Sequence, residues 1–284
     1  MKFRHPIQKI ILGISGVVIL TISIVLISDW MLMTRIDLRI TEMIKSDREH
    51  PAISHTNTSL QLPAPVARLR SILADDQRPV RGVKMSLTGR IKLPGSDSWN
   101  EIEGRQYVSA VQPKFLWNVR MQVGPGWVEI EDAYQDGSGG ILSRAFSILP
   151  LLNEKNIPEL SITQLVRWSG LLTMISPALI DNPNITWTAI DGQSALATVK
   201  DGNISAEHIF FFDEQGRVTA TESSDRYELY KGKGYQATES LMHRVNYKTI
   251  DGIPIPTSSK IIRIENGKPI EFLNEEFYDI VIVR

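Results

Sequence analysis

Two long segments of this chain alternate between apolar and polar residues along their length. The alternation runs through VKMSLTGRIKL, residues 83–93, and through KFLWNVRMQV, residues 114–123. Successive side chains of a strand point to opposite faces of its sheet, so a period of two residues indicates strands with one buried face and one solvated face. Strands of this kind are typical of antiparallel sheets.

Further strand-like runs follow in the C-terminal half, separated by short turn signals. Aspartate or asparagine stands directly before glycine at Asp191, Asp201, Asp251 and Asn266, and such pairs favour tight hairpin turns. The intervening runs are ITWTAI, ALATVK, AEHIFFF, VTATES, HRVNYKT, SSKIIRI and NEEFYDIVIV. Together with the two alternating segments, they predict ten or more antiparallel strands.

One apolar helix interrupts the strands. Ser161 and Gln164 have the spacing of a capping box, which predicts that the helix begins at Ser161. An apolar stripe follows, and Pro177 is expected to end the helix; the stripe consists of Leu165, Trp168, Leu172 and Ile175. We therefore expect an α+β, mainly β fold, in which a curved antiparallel sheet forms an open barrel around one central helix. An all-β sandwich is the rival fold, but it would leave this stripe without a surface to bury it.

The N-terminal segment contains a run of 19 residues without a charge, from Ile10 to Ser28. About 20 apolar residues cross a bilayer as a helix, whereas a secretory signal has a shorter apolar region and a small-residue cleavage site. The run ends in Ser28-Asp29-Trp30, without such a site, which favours an uncleaved signal anchor over residues 10–28. A buried core helix is the alternative, but such helices seldom have so long a charge-free run.

Basic residues on the N-terminal side of this span predict its orientation. Lys2, Arg4 and Lys9 precede the span, whereas the arginines after it are interleaved with aspartates. The positive-inside rule then places residues 1–9 in the cytoplasm. We expect a single-pass protein of the bacterial inner membrane, with its C-terminal domain outside the cytoplasm.

The segment between the span and the strands is expected to be a stalk. Ile36, Ile40, Met43 and Ile44 share one helical face, so the helix is predicted to continue through residues 30–45. This face could instead dock an envelope protein partner. The stalk and a polar linker make up residues 29–61, and the β-rich globular domain occupies residues 62–284.

The stretch GWVEIEDAYQDGSGG, residues 126–140, predicts one arm and the turn of a hairpin. Alternation places Asp132 and Tyr134 on the apolar side. If the hairpin turns about Ser138, apolar residues oppose apolar residues, and Asp132 opposes Arg144. The sequence therefore predicts a buried ion pair between Asp132 and Arg144. The pair could brace the fold, or it could orient the polar head of a ligand.

Several kinds of chemistry have no support in the sequence. The chain has no cysteine, and none of its five histidines has metal-ligand spacing. Motifs for a serine nucleophile elbow, a phosphate loop or a dinucleotide site are missing, and the net charge of −1 does not favour a nucleic-acid partner. We expect no catalytic residue, no metal and no cofactor.

A set of short motifs resembles a known family. The motifs cover about residues 62–282, and the hairpin is the most specific of them: LPAPVARLR, PKFLWNVR, EDAYQDGSGGILSRAF, TQLVRWSG with PALI, ITWTAIDGQSALATVKDG, FFFDEQGRV, SSDRY and DGIPIPTSSKI. The chain resembles a group of uncharacterised, mostly bacterial, membrane-anchored proteins with a domain of unknown function. Family members often have a glutamate where this chain has Leu171 and an aromatic residue near Met174, and this departure weakens the case for a catalytic acid on the helix.

The resemblance implies a fold and, by analogy, a kind of ligand. The family is similar in fold to lipoprotein carriers, in which a curved sheet surrounds a helix and holds an acyl chain. A non-enzymatic site for a hydrophobic or lipid-like ligand is then expected on the concave face, although these residues could also be ordinary core. The expected site consists of Met85, Phe115, Trp117, Met121 and Tyr134, with Asp132 and Arg144 as polar groups.

Two other functions remain open from the sequence. A hydrolase or isomerase could use Asp132 with Tyr134 or Tyr227, but a charge-paired aspartate keeps a low pKa and is a poor general base near neutral pH. An envelope assembly protein is the second alternative, with the stalk as its docking surface.

Overall fold

The fold is dominated by antiparallel strands. A computed structural model describes residues 4–53, 62–73, 78–93, 95–230, 234–265 and 267–284. Six strands precede the central helix: β1 (Gly82–Lys92), β2 (Trp99–Ser109), β3 (Phe115–Val123), β4 (Gly126–Gln135), β5 (Ser138–Ala145) and β6 (Leu149–Lys155). Seven follow it: β7 (Ile185–Ala189), β8 (Ser194–Asp201), β9 (Ile204–Phe212), β10 (Val218–Tyr230), β11 (Gly234–Ile250), β12 (Ile253–Glu265) and β13 (Lys268–Val283).

All these strands belong to one curled antiparallel sheet. The strand order is β6-β5-β4-β3-β2-β1-β13-β12-β11-β10-β9-β8-β7, so the last strand pairs with the first in the middle of the sheet. Residues such as Trp117, Val119 and Met121 on β3 point to the concave inner face, where they are buried. The expected curved sheet around a helix is therefore confirmed.

The central helix begins earlier than the sequence predicts. Helix α3 spans Pro158–Leu171, a 3₁₀ turn follows at Leu172–Ile175, and α4 spans Ser176–Asp181. Ile157 is the N-cap residue, and Pro158 occupies the first helical position, where its missing N–H costs nothing. The predicted start at Ser161 is wrong: its hydroxyl accepts a hydrogen bond from the Gly139 N–H at 3.0 Å. The predicted apolar stripe is buried throughout its length.

The hairpin of β4 and β5 has a different register from the one predicted. Its turn is Asp136-Gly137, with φ of 53° and 73°, as a two-residue turn with positive φ at both positions requires. Gln135 therefore pairs with Ser138, and Asp132 pairs with Ile141. The predicted Asp132–Arg144 ion pair is wrong, because a three-residue change in register places Arg144 opposite Glu129, on the outer face of the sheet.

Helix α1 is one continuous element from Arg4 to Arg48. Its N-terminal part is long and apolar enough to cross a membrane, and none of this apolar window is buried within the protein. By length and composition, a signal sequence would meet the same criteria. The predicted linker begins inside this helix, and its residues 54–61 lie outside the described part of the chain.

The C-terminal part of α1 packs on the outer face of the sheet. Leu32, Ile36, Ile40 and Met43 form a buried cluster on the helix side, and the sheet contributes Tyr107, Leu116 and Val283. The helical face predicted from the sequence is thus real, but the domain itself covers it. Residues 30–45 are therefore not a free stalk, and this face is not available to an envelope partner.

Ion pairs extend along the same contact. Asp29 pairs with Arg120, Asp37 with Arg105 at 2.5 Å, Arg39 with Glu131 at 2.5 Å, and Asp47 with Lys114 at 2.7 Å. The polar residues that alternate with the apolar ones on β2, β3 and β4 therefore contact a charged helix. Alternation predicts a solvated outer face, and this part of it is covered instead.

Helix α2 (Ala64–Ile72) lies before the first strand. Its apolar side chains Val66 and Leu69, with Leu73 directly after the helix, are buried in the main core. Arg70 on this helix pairs with Asp181 at the end of α4. The segment before the sheet is therefore tied to the end of the central helical segment.

Candidate ligand cavity

A cavity of about 440 Å³ lies between α3 and the concave face of the sheet. The helix contributes residues such as Leu160, Val166 and Arg167, and strands from both halves of the sheet contribute the remainder. The lining is mainly apolar: Ile91, Leu93, Trp117, Met121, Val128, Ile130, Ile141, Leu151, Leu152, Leu160, Val166, Leu229, Met242, Ile261, Phe272 and Leu273. A space of this size and character suits a small hydrophobic molecule.

The structure separates the predicted site residues into three groups. Trp117, Met121 and Asp132 line the cavity. Met85, Phe115 and Tyr134 are buried in the core cluster that contains Trp117 and Met121, and they do not reach the cavity surface. Arg144 lies on the outer face of the sheet and does not line the cavity.

The partner of Asp132 is Arg167 on α3, which pairs with the Oδ2 atom of the carboxylate. Both side chains are 13% exposed, and Arg167 also lies over the Trp117 ring, with its guanidinium carbon 4.6 Å from the ring centroid. Burial raises the pKa of Asp132 above its ordinary value, although the positive charge of Arg167 partly offsets this effect, so the low pKa expected of a charge-paired aspartate is wrong. The pair joins the helix to the aromatic inner wall of the sheet.

A second charged group lines the cavity on β10 and β12. Glu228 lies 3.3 Å from the Arg226 Nε atom and 3.8 Å from the Arg263 Nε atom. Both guanidinium carbons lie 4.9 Å from the centre of the Phe272 ring. Burial lowers the pKa of Arg226, although Glu228 and Asp132 partly offset this effect. Local patterns do not predict this group: Arg226 lies in the SSDRY motif, but Arg263 and Phe272 are far from it along the chain.

Three buried polar atoms of the cavity lining have no hydrogen-bond partner among the described residues. They are Asp132 Oδ1 on β4, Gln164 Oε1 on α3 and Thr221 Oγ1 on β10. A buried polar atom without a partner destabilises the fold by about 1–3 kcal/mol. A ligand with a hydroxyl or amide N–H could donate to any of these atoms and remove this cost.

His208 borders the cavity beside α3. It is 4% exposed, and its Nδ1 atom lies 2.9 Å from the Ser169 hydroxyl oxygen. The Ser169 hydroxyl donates to the Val166 carbonyl, so the histidine ring is the donor in this contact. Burial, and then the positive charge of Arg244, lower the pKa of His208 to about 3. His208 is therefore a neutral structural residue.

The buried His208 should make the protein less stable in acid. Its pKa in the unfolded chain is about 6.5, so between pH 6.5 and pH 3 the unfolded state binds the extra proton. The free energy of unfolding should fall by up to about 1.4 kcal/mol for each pH unit below 6 from this residue alone. Urea unfolding of the 29–284 fragment and of its His208→Gln variant, at pH 4.5, 5.5 and 6.5, measures the difference in slope. Equal slopes would contradict the assignment.

The tyrosine proposed as a partner of Asp132 in catalysis is engaged elsewhere. The Tyr134 hydroxyl donates to Asp201 at 2.9 Å, and burial raises the pKa of Tyr134 far above its ordinary value. Tyr227 borders the cavity, and its backbone N–H donates to the Thr163 hydroxyl. Among the residues that the structure describes, no group of three or more histidine, aspartate or glutamate side chains could hold a metal ion.

The fold and the cavity define a class of protein: a β-rich half-barrel that closes over a central helix, with an apolar space between them. The chain belongs to the family described as "Family of unknown function (DUF6920)", which matches residues 60–281. This match confirms the family resemblance of the sequence motifs. None of the curated protein sequences matches the chain.

Solved structures with a similar arrangement come from several bacteria. A LolA superfamily protein from Nitrosomonas europaea has 13% sequence identity and a TM-score of 0.39, with 75% of this chain and 92% of that chain covered. A DUF1329 family protein from Desulfovibrio piger has 11% identity and a TM-score of 0.41, covering 78% and 94%. A putative outer membrane lipoprotein-sorting protein domain from Vibrio parahaemolyticus has 10% identity and a TM-score of 0.39, covering 76% and 91%.

Proposed function

We propose that this protein is a membrane-tethered domain that binds a hydrophobic or lipid-like ligand in the cavity and does not convert it chemically. The observation that carries the proposal is the cavity of about 440 Å³ between α3 and the inner face of the sheet, with its mainly apolar lining. Binding sites for small hydrophobic molecules are typically concave and apolar, with a few polar groups that fix orientation.

The polar groups of the cavity suggest the chemistry of the ligand. Gln164 Oε1 and Thr221 Oγ1 are available as acceptors, whereas the charges of Arg226 and Arg263 are balanced by Glu228 and by Glu265, which pairs with Arg263. An amphiphile with an apolar chain and a hydroxyl or amide head would fit both the apolar lining and these acceptors. The Asp132–Arg167 pair then acts as a fixed polar wall beside the apolar part of the ligand.

The tether in this proposal is the N-terminal part of α1. Residues 10–28 would cross the inner membrane once, with residues 1–9 in the cytoplasm and the sheet outside it. Two observations support this topology. The charge-free window is not buried within the protein, and lysines and an arginine precede it in the sequence. In this arrangement the ligand site would remain permanently beside a supply of lipid.

The test is to identify what the cavity holds. The 29–284 fragment retains the part of α1 that packs on the sheet, and it can be exported with a cleavable signal and purified without detergent. Organic extraction followed by mass spectrometry should recover a lipid-like molecule in a near-constant molar ratio. Repeated preparations without any such molecule would refute the proposal.

A matched pair of variants locates the binding to the cavity. Ser143 on β5 lines the cavity, and its neighbour Arg144 faces the other side of the sheet. Ser143→Phe puts a ring into the ligand space, so we expect it to reduce the recovered ligand at least tenfold. Arg144→Phe adds the same ring on the outer face and should leave the ratio unchanged. Equal loss in both variants would show that the ligand binds elsewhere.

A further inference from the structure

Exposed apolar side chains cluster on two neighbouring turns, β3–β4 and β5–β6, and on the strand that follows. Val123 is 44% exposed, Phe146 41%, Ile148 37%, Leu149 58% and Leu151 60%. Trp127 lies against Phe146 in an edge-to-face contact, with ring centroids 5.3 Å apart. We call this set, including Trp127, the apolar rim. A contiguous apolar surface of this kind usually marks an interaction site.

The apolar rim is held beside the point where the charge-free part of α1 ends. Asp29, the first charged residue after that run, accepts a hydrogen bond from the Ser147 hydroxyl at 2.7 Å and pairs with Arg120. Ser147 lies in the β5–β6 turn, and its hydroxyl oxygen also accepts a hydrogen bond from Trp127 Nε1 at 3.2 Å. Through Ser147 and Arg120, Asp29 therefore holds both turns of the apolar rim next to the end of the charge-free part of α1.

The cavity opens at the same end of the sheet. Met121 and Val128 pair across β3 and β4, and Val128 pairs with Ala145, two residues before Ser147. Met121 and Val128 both line the cavity, as does Leu151 of the rim. The mouth of the cavity and the apolar rim therefore lie at the level of Asp29.

We infer that the apolar rim is seated in the surface of the bilayer that α1 crosses, so that the cavity mouth opens directly onto lipid. The bilayer is the occupant that the geometry favours, because α1 brings its apolar run within one residue of the Asp29 contact. Trp127 suits the boundary between headgroups and acyl chains, with Arg120 over its ring at 5.0 Å. The docking rests on the tether of the proposed function, and loading of the cavity through this mouth rests on its ligand site.

The absence of cysteine from the sequence allows a direct test on the full chain. Leu149→Cys labelled with a nitrobenzoxadiazole probe reports the environment of the rim after reconstitution into vesicles of phosphatidylethanolamine and phosphatidylglycerol. Val281→Cys is the matched control, because Val281 is also an exposed apolar residue, at 56%. Val281 lies at the opposite end of the contact between α1 and the sheet. It pairs with Lys84, and Lys84 pairs with Tyr107, whose hydroxyl binds Asp47. Asp47 is about 27 Å from Asp29 along the helix axis.

We expect blue-shifted emission from the probe at residue 149 and several-fold stronger quenching by spin-labelled lipid than at residue 281. Equal quenching at the two positions, whether strong or weak, would overturn the docking. The outcome is distinguishable from that of the ligand test. Lipid recovered from the 29–284 fragment with an unquenched probe at residue 149 would overturn only the docking. A quenched probe with no recoverable ligand would support the docking and refute the cavity proposal.

Discussion

Asp47→Ala should lower the free energy of unfolding of the 29–284 fragment by about 3–5 kcal/mol. The Asp47 side chain is fully buried, and it accepts hydrogen bonds from the Tyr107 hydroxyl at 2.5 Å and from Gln112 at 3.3 Å. Its ion-pair partner Lys114, at 2.7 Å, is only 2% exposed. The substitution leaves a buried ammonium group without its counter-charge, which is the costly way to break an ion pair. Urea unfolding followed by circular dichroism measures the loss.

A second aspartate of α1 provides the control for this prediction. Asp37 pairs with Arg105 at 2.5 Å, but its side chain is 53% exposed. Exposed ion pairs contribute about 0–1 kcal/mol, so Asp37→Ala should have little effect. The double variant Asp47→Leu with Lys114→Met should recover much of the lost stability, because it removes both buried charges together. A small effect of Asp47→Ala would show that α1 does not pack on the sheet in solution.

Arg167→Leu should reduce the free energy of unfolding by about 3 kcal/mol, the lower end of the range for a broken buried pair. The effect is expected to be smaller than for Asp47, because Asp132 and Arg167 are each 13% exposed and water can reach them. The variant also removes the cation from the face of the Trp117 ring. The same urea titration measures the change.

Arg144→Leu distinguishes the observed register from the one that the sequence favours. In the structure Arg144 lies on the outer face, opposite Glu129, so its removal should cost less than about 1 kcal/mol. A larger loss for Arg144→Leu than for Arg167→Leu would indicate that Asp132 pairs with Arg144 after all, and that the hairpin turns about Ser138.

The sequence predicted the parts of the fold that depend on local periodicity. Alternation on β3 identified Trp117 and Met121 as inward-facing, and the 3.6-residue period identified the buried stripe that includes Leu165 and Trp168. These patterns arise because each element buries one face, whatever that face contacts. The antiparallel sheet around a helix followed from the same patterns, because the stripe needs an apolar surface to cover it.

The hairpin register shows where a local pattern can mislead. In the predicted register, apolar residues oppose apolar residues and Asp132 opposes Arg144. That register needs a three-residue turn, Gly137-Ser138-Gly139. The chain instead turns at Asp136-Gly137, because aspartate and glycine both tolerate the positive φ of a two-residue turn. The turn therefore determines the register of the hairpin, and Asp132 pairs with Arg167 on α3 instead of with Arg144.

Long-range pairing could not be predicted from one sequence. The face of Ile36 and Ile40 was visible as a pattern, but nothing in the sequence indicated that Tyr107 and Leu116 cover it. For the same reason, the charged residues of β2, β3 and β4 resembled those of a solvated face. The cavity residues Arg226 and Arg263 were also missed, because they become neighbours only when the second half of the sheet curls over α3.

The position of β13 in the middle of the sheet has a consequence for how the chain folds. Within β1–β6, and again within β7–β13, each strand pairs with the next strand in the sequence, so each set is a meander. Either meander can form from contacts that are local in the chain. In the described part of the sheet, strand pairing joins the two meanders only through β1 and β13, where Gly82 pairs with Val283 from the opposite end of the domain. Both meanders line the cavity, so the cavity forms only after β13 has joined β1.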